Sequence, residues 1–298
     1  MTTLIWVLVA LSAIIMIYLV VGSVAALTLT KIGDHPQYDQ NPGRYGVEYE
    51  SVQFKARGEP LQIAGWYLPN PDAERVMILV HGRNASKQNA ISGNLSALAA
   101  ELHKAGMGVL MIDLRGHGES EGKRYTFGAQ ERRDVLGAVD FLLGQGFAPG
   151  RIGALGISLG GAAVIGAAAE EPAMGVVVVE STFADINALI EPNWKVESGL
   201  PMFFLPGVFL MWRVLIGFDL RNVKPVEELA RVLPRPILIL HSRQDKMVDC
   251  SQAQELKDAV PEARLVLFED CDHAELFRDQ PEAYLEAMIP FLKEHWNG

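Results

Sequence analysis

Ser158 lies in a glycine-rich segment, GALGISLGGA (153–162), that separates a β-like run from an alanine-rich run. Two kinds of chemistry use such a strand-to-helix turn: phosphate binding at a helix N-terminus, and nucleophilic attack by a serine on a sharp elbow. The glycine spacing fits neither the dinucleotide pattern GxGxxG nor the P-loop pattern. Residues 156–160 do fit GxSxG, in which small neighbours let the strand reverse into a helix. Ser158 is therefore the candidate nucleophile.

A serine nucleophile on such an elbow requires an acid and then a histidine, each just after a later strand. Asp245 follows the apolar run PILILH, and His273 follows the run ARLVLFE. Because the carboxyl ends of parallel strands share one edge of a sheet, we expect these side chains to meet there. Glu180 and, behind it, Asp249 remain alternative acids.

Acyl transfer also needs amide donors for the developing oxyanion, and one such donor is worth roughly 10²–10³ in rate. The segment HGRN (81–84) follows the first buried strand, and Gly82 lets the backbone turn there. We predict that the backbone N–H groups of Arg83 and Leu159 are the two donors. His81 is predicted to hold this loop in place.

The elements that must position these groups follow from the hydrophobic pattern. Two β-like runs (47–54 and 61–68) flank a turn and predict an antiparallel hairpin. Apolar runs typical of strands buried on both faces follow, at 75–81, 108–114, 151–157, 175–180, 236–241 and 263–269. Helix-like segments lie between them. This order predicts an α/β fold with a mostly parallel sheet and helices on both faces.

Residues 181–235 interrupt the alternation without a strand-like run, and they are too many for an ordinary connection. We expect an inserted helical cap at about residues 184–233. Its apolar stretch, 199–218, carries one charged residue, Arg213. A membrane span there would cut the parallel sheet in half, so a pair of cap helices with an apolar underside is predicted instead.

The first thirty residues contain no charged side chain, and their apolar stretch is long enough for a membrane span of about 20 residues. A cleaved signal peptide is the alternative, but the stretch is too long for one and no Lys or Arg precedes it. We expect a single-pass transmembrane anchor at residues 1–30, a linker at 31–46 and the catalytic domain at 47–298. The charge pattern leaves the membrane side of that domain open.

The amino-acid composition restricts the classes of ligand that the protein is expected to bind. A formal net charge of −10 offers no basic surface to nucleic acid, so we expect none to bind. The sequence has no CxxC or HExxH motif, so neither a metal nor a cofactor is predicted. The two cysteines, Cys250 and Cys271, are expected to be reduced, although the predicted elements bring them near each other.

Six segments together resemble the α/β-hydrolase superfamily in order and spacing. They are HGRN (81–84), DLRGHGES (113–120), GISLGG (156–161), ESTF (180–183), HSRQDKMV (241–248) and DCDHAELF (270–277). The nearest branch is that of membrane-anchored serine hydrolases, which includes lipid esterases, monoacylglycerol-type lipases and acyl-protein thioesterases. The resemblance covers residues 47–296 and implies the α/β-hydrolase fold. In this family DLRGHGES is a tight turn, so Asp113, Arg115 and His117 are expected to be structural.

These observations predict a serine hydrolase that cleaves carboxylic esters of acyl, lipid-like substrates. A Ser158–His273–Asp245 triad would form an acyl-enzyme intermediate. An acyl-protein thioesterase or an aminopeptidase-type peptidase would use the same groups and stays an open alternative. A non-catalytic, membrane-tethered binding protein is disfavoured because every catalytic role is filled. The expected partners are a small acyl ester or lipid and, through the N-terminal helix, the lipid bilayer.

Overall fold

The computed structural model describes residues 2–33 and 38–296. Contacts divide the chain into two compact units. A helical unit combines Met1–Lys31 with Ile186–Val223, and a sheet unit combines Ile32–Asp185 with Lys224–Gly298. All five predicted site residues lie in the sheet unit.

The sheet unit is built on eight strands in the order β1-β2-β4-β3-β5-β6-β7-β8. They are β1 (Glu50–Lys55), β2 (Gln62–Leu68), β3 (Val76–Val80), β4 (Gly108–Ile112), β5 (Ile152–Ile157), β6 (Met174–Glu180), β7 (Ile237–Ser242) and β8 (Arg264–Phe268). β2 pairs antiparallel with both β1 and β4, and all other neighbours are parallel. This confirms the predicted fold class, an antiparallel hairpin followed by a mostly parallel sheet.

Helices alternate with these strands along the chain. In the sheet unit they are α2 (Leu95–Lys104), α3 (Arg132–Gly144), α4 (Leu159–Glu170), α7 (Pro225–Leu229), α8 (Cys250–Ala259), α9 (Leu276–Asp279) and α10 (Pro281–His295). Short 3-10 helices cover Pro42–Tyr45, Ile91–Gly93 and Ala230–Val232. Every residue of β3, β4, β5 and β7 is buried, as expected for strands covered on both faces.

Glycines let the start of α4 pack close to the ends of neighbouring strands. A Cβ on Gly156 would lie 2.4 Å from the carbonyl oxygen of Gly160, and one on Gly160 would lie 2.4 Å from that of His81. A Cβ on Gly161 would lie 1.8 Å from Thr182 Oγ1. No side chain fits at these positions, because the start of α4 packs directly against the ends of β3 and β6.

The helical unit contains α1 (Thr2–Leu29), α5 (Ile186–Ser198), α6 (Leu205–Ile216) and 3-10 helices at Met202–Phe204 and Leu220–Asn222. α1 is long and apolar enough to cross a membrane. The segments Ile186–Ser198 and Met202–Ile216 are bent by 116° at a short break and together pass the same test of length and composition.

The predicted domain boundaries stay predictions, and contacts within the structure group the residues in another way. The unit boundary lies after Val223, ten residues before the predicted end of the cap at residue 233, and α7 contacts α4 in the sheet unit. The predicted linker, 31–46, includes residues 34–37, which lie outside the described residues.

Candidate active site

Ser158 occupies the sharp turn between β5 and α4. Its backbone adopts φ 53° and ψ −116°, a region that side chains rarely occupy and that here reverses a strand into a helix. The turn is held because the Ser158 N–H donates to the carbonyl of Glu180 at 2.8 Å. This geometry matches the strained elbow predicted from GxSxG.

Three side chains from different loops meet at this turn. His273 Nε2 lies 3.0 Å from Ser158 Oγ, and His273 Nδ1 lies 2.7 Å from Asp245 Oδ2. The carboxylate is fully buried, whereas 17% of the imidazole surface stays exposed. The arrangement forms a continuous hydrogen-bonded path from the hydroxyl to the carboxylate, with one ring nitrogen on each side.

The loop after β7 holds Asp245 in place and keeps it ionised. Its Oδ1 accepts the backbone N–H groups of Met247 and Val248, each at 2.9 Å. Burial by itself would raise the pKa of Asp245, but the hydrogen bond from His273 and these amides outweigh it, so the pKa lies below its ordinary value. A buried carboxylate that stays charged can orient an imidazole and stabilise its protonated form.

The structure places neither alternative acid against His273. Asp249 caps α8, where its Oδ1 accepts the N–H of Ser251 at 2.9 Å. Glu180 is fully buried and accepts the hydroxyl of Tyr284 at 2.9 Å and the N–H of Leu276 at 3.3 Å. Burial raises the pKa of Glu180 to about 7, against these two hydrogen bonds.

Residues that sequence analysis did not single out position the His273 loop. Ser181 Oγ accepts the N–H of Ala274 at 3.2 Å, and Ser242 Oγ donates to the carbonyl of Cys271 at 2.7 Å. Ser181 directly follows β6 and Ser242 ends β7, so both bonds fix the loop to the edge of the sheet. A polar residue at the end of a buried strand is the signal that could have identified them.

Of the two predicted oxyanion donors, Leu159 directly follows Ser158 in the chain, and Arg83 lies in a separate loop that passes near it. Leu159 is the first residue of α4, whose first-turn amides have no intrahelical acceptor, and Gly161 N–H turns back to Ser158 O at 2.9 Å. A Cβ on Gly82 would lie 3.3 Å from Ser158 Cβ, so the loop that carries Arg83 passes close to the serine. The roles of the Arg83 and Leu159 amides stay predictions.

Polar side chains in and around the turn DLRGHGES (113–120) form hydrogen bonds that stabilise the fold. His81 Nε2 accepts the N–H of Leu114 at 3.0 Å, which ties the loop after β3 to this turn. His117 Nε2 accepts the N–H of Asn84 at 3.2 Å. Both imidazoles are fully buried. His81 and His117 therefore hold the loop that carries Arg83.

Two buried ion pairs complete this turn. Asp113 Oδ2 lies 2.6 Å from Lys87 Nζ, and its Oδ1 accepts the N–H of Lys87 at 2.7 Å. Arg115 Nη2 lies 2.7 Å from Asp134 Oδ1. Burial raises the pKa of Asp134 to about 7, although Arg115 opposes it. Asp113 and Arg115 thus have partners of opposite charge within the fold.

Among residues 2–33 and 38–296, no group of three His, Cys, Asp or Glu side chains is placed to hold a metal ion. Cys250 and Cys271 are both free thiols. Burial raises the pKa of Cys271 to about 11, so its thiol stays protonated near neutral pH.

Comparison with known proteins identifies the family. A model of the alpha/beta hydrolase family matches residues 77–287, and the chain belongs to this family. The uncharacterised protein YfhR of Salmonella typhi is 27% identical over 282 residues, which cover 87% of this chain and 85% of the relative. The uncharacterised protein YqkD of Bacillus subtilis is 26% identical over 235 residues, with 77% and 75% covered.

Solved structures share the fold. The esterase Pf2001 of Pyrococcus furiosus superposes with a TM-score of 0.72 at 22% identity, covering 90% of this chain and all of that one. Est1E of Butyrivibrio proteoclasticus, solved with ferulic acid bound, gives a TM-score of 0.65 at 20% identity, covering 82% of this chain and 98% of that one. Membership of the family supports a hydrolase activity for this chain.

Proposed function

We propose that this protein is a serine hydrolase that cleaves carboxylic esters of acyl, lipid-like substrates. One observation carries the proposal: Ser158 Oγ, on a strained elbow, lies 3.0 Å from an imidazole whose other nitrogen lies 2.7 Å from a buried carboxylate. Such a chain of groups can convert a weakly nucleophilic hydroxyl into an attacking alkoxide.

The reaction proceeds in two steps. His273 Nε2 takes the hydroxyl proton as Ser158 Oγ attacks the ester carbonyl, and Asp245 stabilises the imidazolium. The Arg83 and Leu159 amides hold the oxyanion, and His273 then gives its proton to the leaving alcohol, which leaves an acyl-Ser158. A water molecule, deprotonated by His273, attacks this acyl group; the acid departs and the serine regains its proton.

We propose esters as the substrate class, and the presence of esterases among the proteins that share this fold supports that choice. A serine at the elbow favours acyl transfer, because an oxygen nucleophile activated by histidine attacks carbonyl carbon. Thioesters and amides need the same three residues. Thioesters and amides are therefore included as comparison substrates in the experiment below.

We also propose that α1 is retained as a membrane anchor and is not cleaved as a signal sequence. The Tyr18 hydroxyl donates to the carbonyl of Phe203 and accepts the N–H of Gly207, both at 2.9 Å. The Gly207 amide is in the first turn of α6, where no intrahelical acceptor exists. Cleavage would remove this partner. The mass of the protein extracted from membranes tests the point, because it includes α1 only if the helix is retained.

The substrate proposal is tested with the full-length protein in detergent. Nitrophenyl esters of increasing acyl length are compared with a lysophospholipid, an acyl thioester and an amino-acid amide. We expect hydrolysis of the esters, with a preference for longer acyl chains. Hydrolysis of amides alone, or of none of the four classes, would contradict the proposal.

A further inference from the structure

We propose that the bend between α5 and α6 inserts into the surface of a lipid bilayer beside α1. The helical unit would then touch the membrane at two places: a spanning helix and a shallow re-entrant bend. This inference rests on the proposed membrane anchor and adds a second contact to it.

The bend exposes large apolar side chains. Met202 is 52% exposed and Phe203 is 64% exposed, and both belong to the 3-10 helix that precedes α6. On α6 itself Leu210 and Val214, one helical turn apart, are 51% and 64% exposed. Grouped apolar side chains that face solvent mark a surface that binds something apolar.

Tyr18 must lie within any membrane span made by α1. Residues 2–17 of the helix are exposed, and Tyr18, the first partly buried residue, bonds to Phe203 and Gly207. A span needs about 20 residues and at least about 17. Every window of that length within Thr2–Leu29 includes Tyr18. Whatever packs against Tyr18 is therefore at the level of the bilayer.

The bend is what packs there. Tyr18 stacks on Phe204 with ring centroids 5.4 Å apart. One turn further along α1, a Cβ on Gly22 would lie 3.0 Å from the carbonyl oxygen of Gly207. Residues further along α1 contact residues further along α6, so the two helices run in the same direction. The bend lies at the N-terminal end of α6, and this end consequently points toward the membrane interior.

Connectivity requires the bend to enter and leave on one side of the membrane. The residues between Ile186 and Val223 join β6 to β7, which pair directly in one sheet. A complete crossing would place two paired strands on opposite sides of the bilayer. The 116° bend instead allows α5 to approach the membrane and α6 to leave it.

Charge limits the depth of insertion. Residues 198–212 carry no charged side chain, and the exposed Glu197 and Arg213 bound this stretch. An exposed carboxylate so close to the bend keeps it at the boundary between headgroups and hydrocarbon, the depth at which aromatic residues such as Phe203 are favoured. Arg213 and Lys31, at the carboxyl-terminal ends of the two helices, suit anionic headgroups.

The test measures depth directly in the full-length protein. Cys250→Ser and Cys271→Ala remove the native thiols, and single cysteines are placed at Met202, at Leu11 in α1, or at the exposed Gln145 after α3. Each is labelled with an environment-sensitive fluorophore and reconstituted into vesicles of equal parts phosphatidylcholine and phosphatidylglycerol. Nitroxide lipids quench either near the headgroup or at the chain end. Thermal unfolding followed by circular dichroism verifies that each variant is folded.

We expect the label at position 202 to lose fluorescence with the shallow nitroxide more than with the deep one. The label at 11 should show the reverse, and the label at 145 should lose little with either. Quenching at 11 with none at 202 beyond the 145 control would overturn the inference and leave the anchor standing. Quenching at neither 11 nor 202 would overturn the anchor as well. None of these readouts depends on catalysis.

Discussion

Two polar clusters follow buried strands of the same sheet, and both contain aspartate and histidine. In the first, Ser158, His273 and Asp245 form a hydrogen-bonded chain that ends at the Ser158 hydroxyl. In the second, around Asp113 and His117, the side chains are buried and bind backbone amides or ions of opposite charge. The same residue types are placed for chemistry in one cluster and for support in the other.

The difference lies in what each polar atom already binds. The Nε2 atom of His117 accepts the Asn84 amide and has no lone pair left for a substrate proton. The Nε2 atom of His273 faces the Ser158 hydroxyl, a group whose proton it can take. Residue type and position after a strand do not distinguish a catalytic histidine from a structural one. The hydrogen-bond partners of the ring nitrogens do.

The largest expected effect is on the first cluster. Ser158→Ala should lower the rate of ester hydrolysis by roughly 10⁴-fold or more, because the nucleophile is removed. The thermal midpoint should stay close to that of the wild type. Ser51→Ala, at an exposed position of β1, is the matched control and should retain full activity. Substantial hydrolysis by the Ser158 variant would remove this residue from its proposed role.

Asp245→Asn should reduce kcat by about 10³–10⁴-fold, because an amide can donate to His273 Nδ1 and favour the wrong tautomer. Asp249→Asn removes a carboxylate four residues away and should change kcat by less than about threefold. Steady-state kinetics on one nitrophenyl ester measures both. Equal losses in the two variants would mean that the acid has been misassigned.

Lys87→Met probes the second cluster, where stability and not catalysis should suffer. It leaves the Asp113 carboxylate buried without its cation, which costs about 3–5 kcal/mol in the free energy of unfolding. Activity per folded molecule should stay within a few-fold. Lys104→Met breaks an exposed pair with Glu101 and should cost less than about 0.5 kcal/mol. Urea unfolding compares the two, and a catalytic loss without destabilisation would break the proposed distinction.

Glu180 has a structural role near the catalytic residues, since it accepts the N–H of Leu276 after the His273 loop and its pKa is about 7. Its pKa rises from 4.5 to about 7 in the folded protein, so the folded state binds more protons than the unfolded state in that range. Its contribution to stability is present below pH 4.5 and is lost as pH rises through about 7, by on the order of 1 kcal/mol per pH unit. Asp134 acts in the same direction.

Glu180→Gln should therefore flatten the decline in thermal midpoint between pH 5 and 8, because an amide does not titrate. Glu286→Gln, at an exposed position on α10, serves as the control and should leave the decline as it is in the wild type. An unchanged slope in the Glu180 variant would show that this carboxyl does not titrate in that range.

Local patterns were sufficient to predict the mostly parallel sheet, and they singled out Ser158, Asp245 and His273, which the structure places next to one another. Short continuous apolar runs rich in β-branched residues and bounded by turn residues favour buried strands, and chain order then indicates which loops share an edge. The partners chosen across long distances were not predictable in this way. Nothing near Lys87 in the sequence indicates Asp113, and nothing near Tyr18 indicates Gly207, because these pairs exist only once the elements are packed.

The limits of the helical insertion were also beyond local pattern. Residues 224–233 look like a continuation of an insertion without strands, yet α7 packs on α4. At Ser242 the sequence marks a polar residue at the end of a buried strand, but its partner, the Cys271 carbonyl, depends on how two loops meet.

The central claim, that Ser158 is a nucleophile activated by His273, is tested most directly by the site of covalent modification. The full-length protein is treated with a reactive alkyl phosphonate and digested for peptide mass spectrometry. We expect one phosphonyl group, on Ser158, and strongly slowed labelling in His273→Ala. Ester hydrolysis that continues while Ser158 stays unmodified, or modification at another serine that abolishes activity, would contradict it.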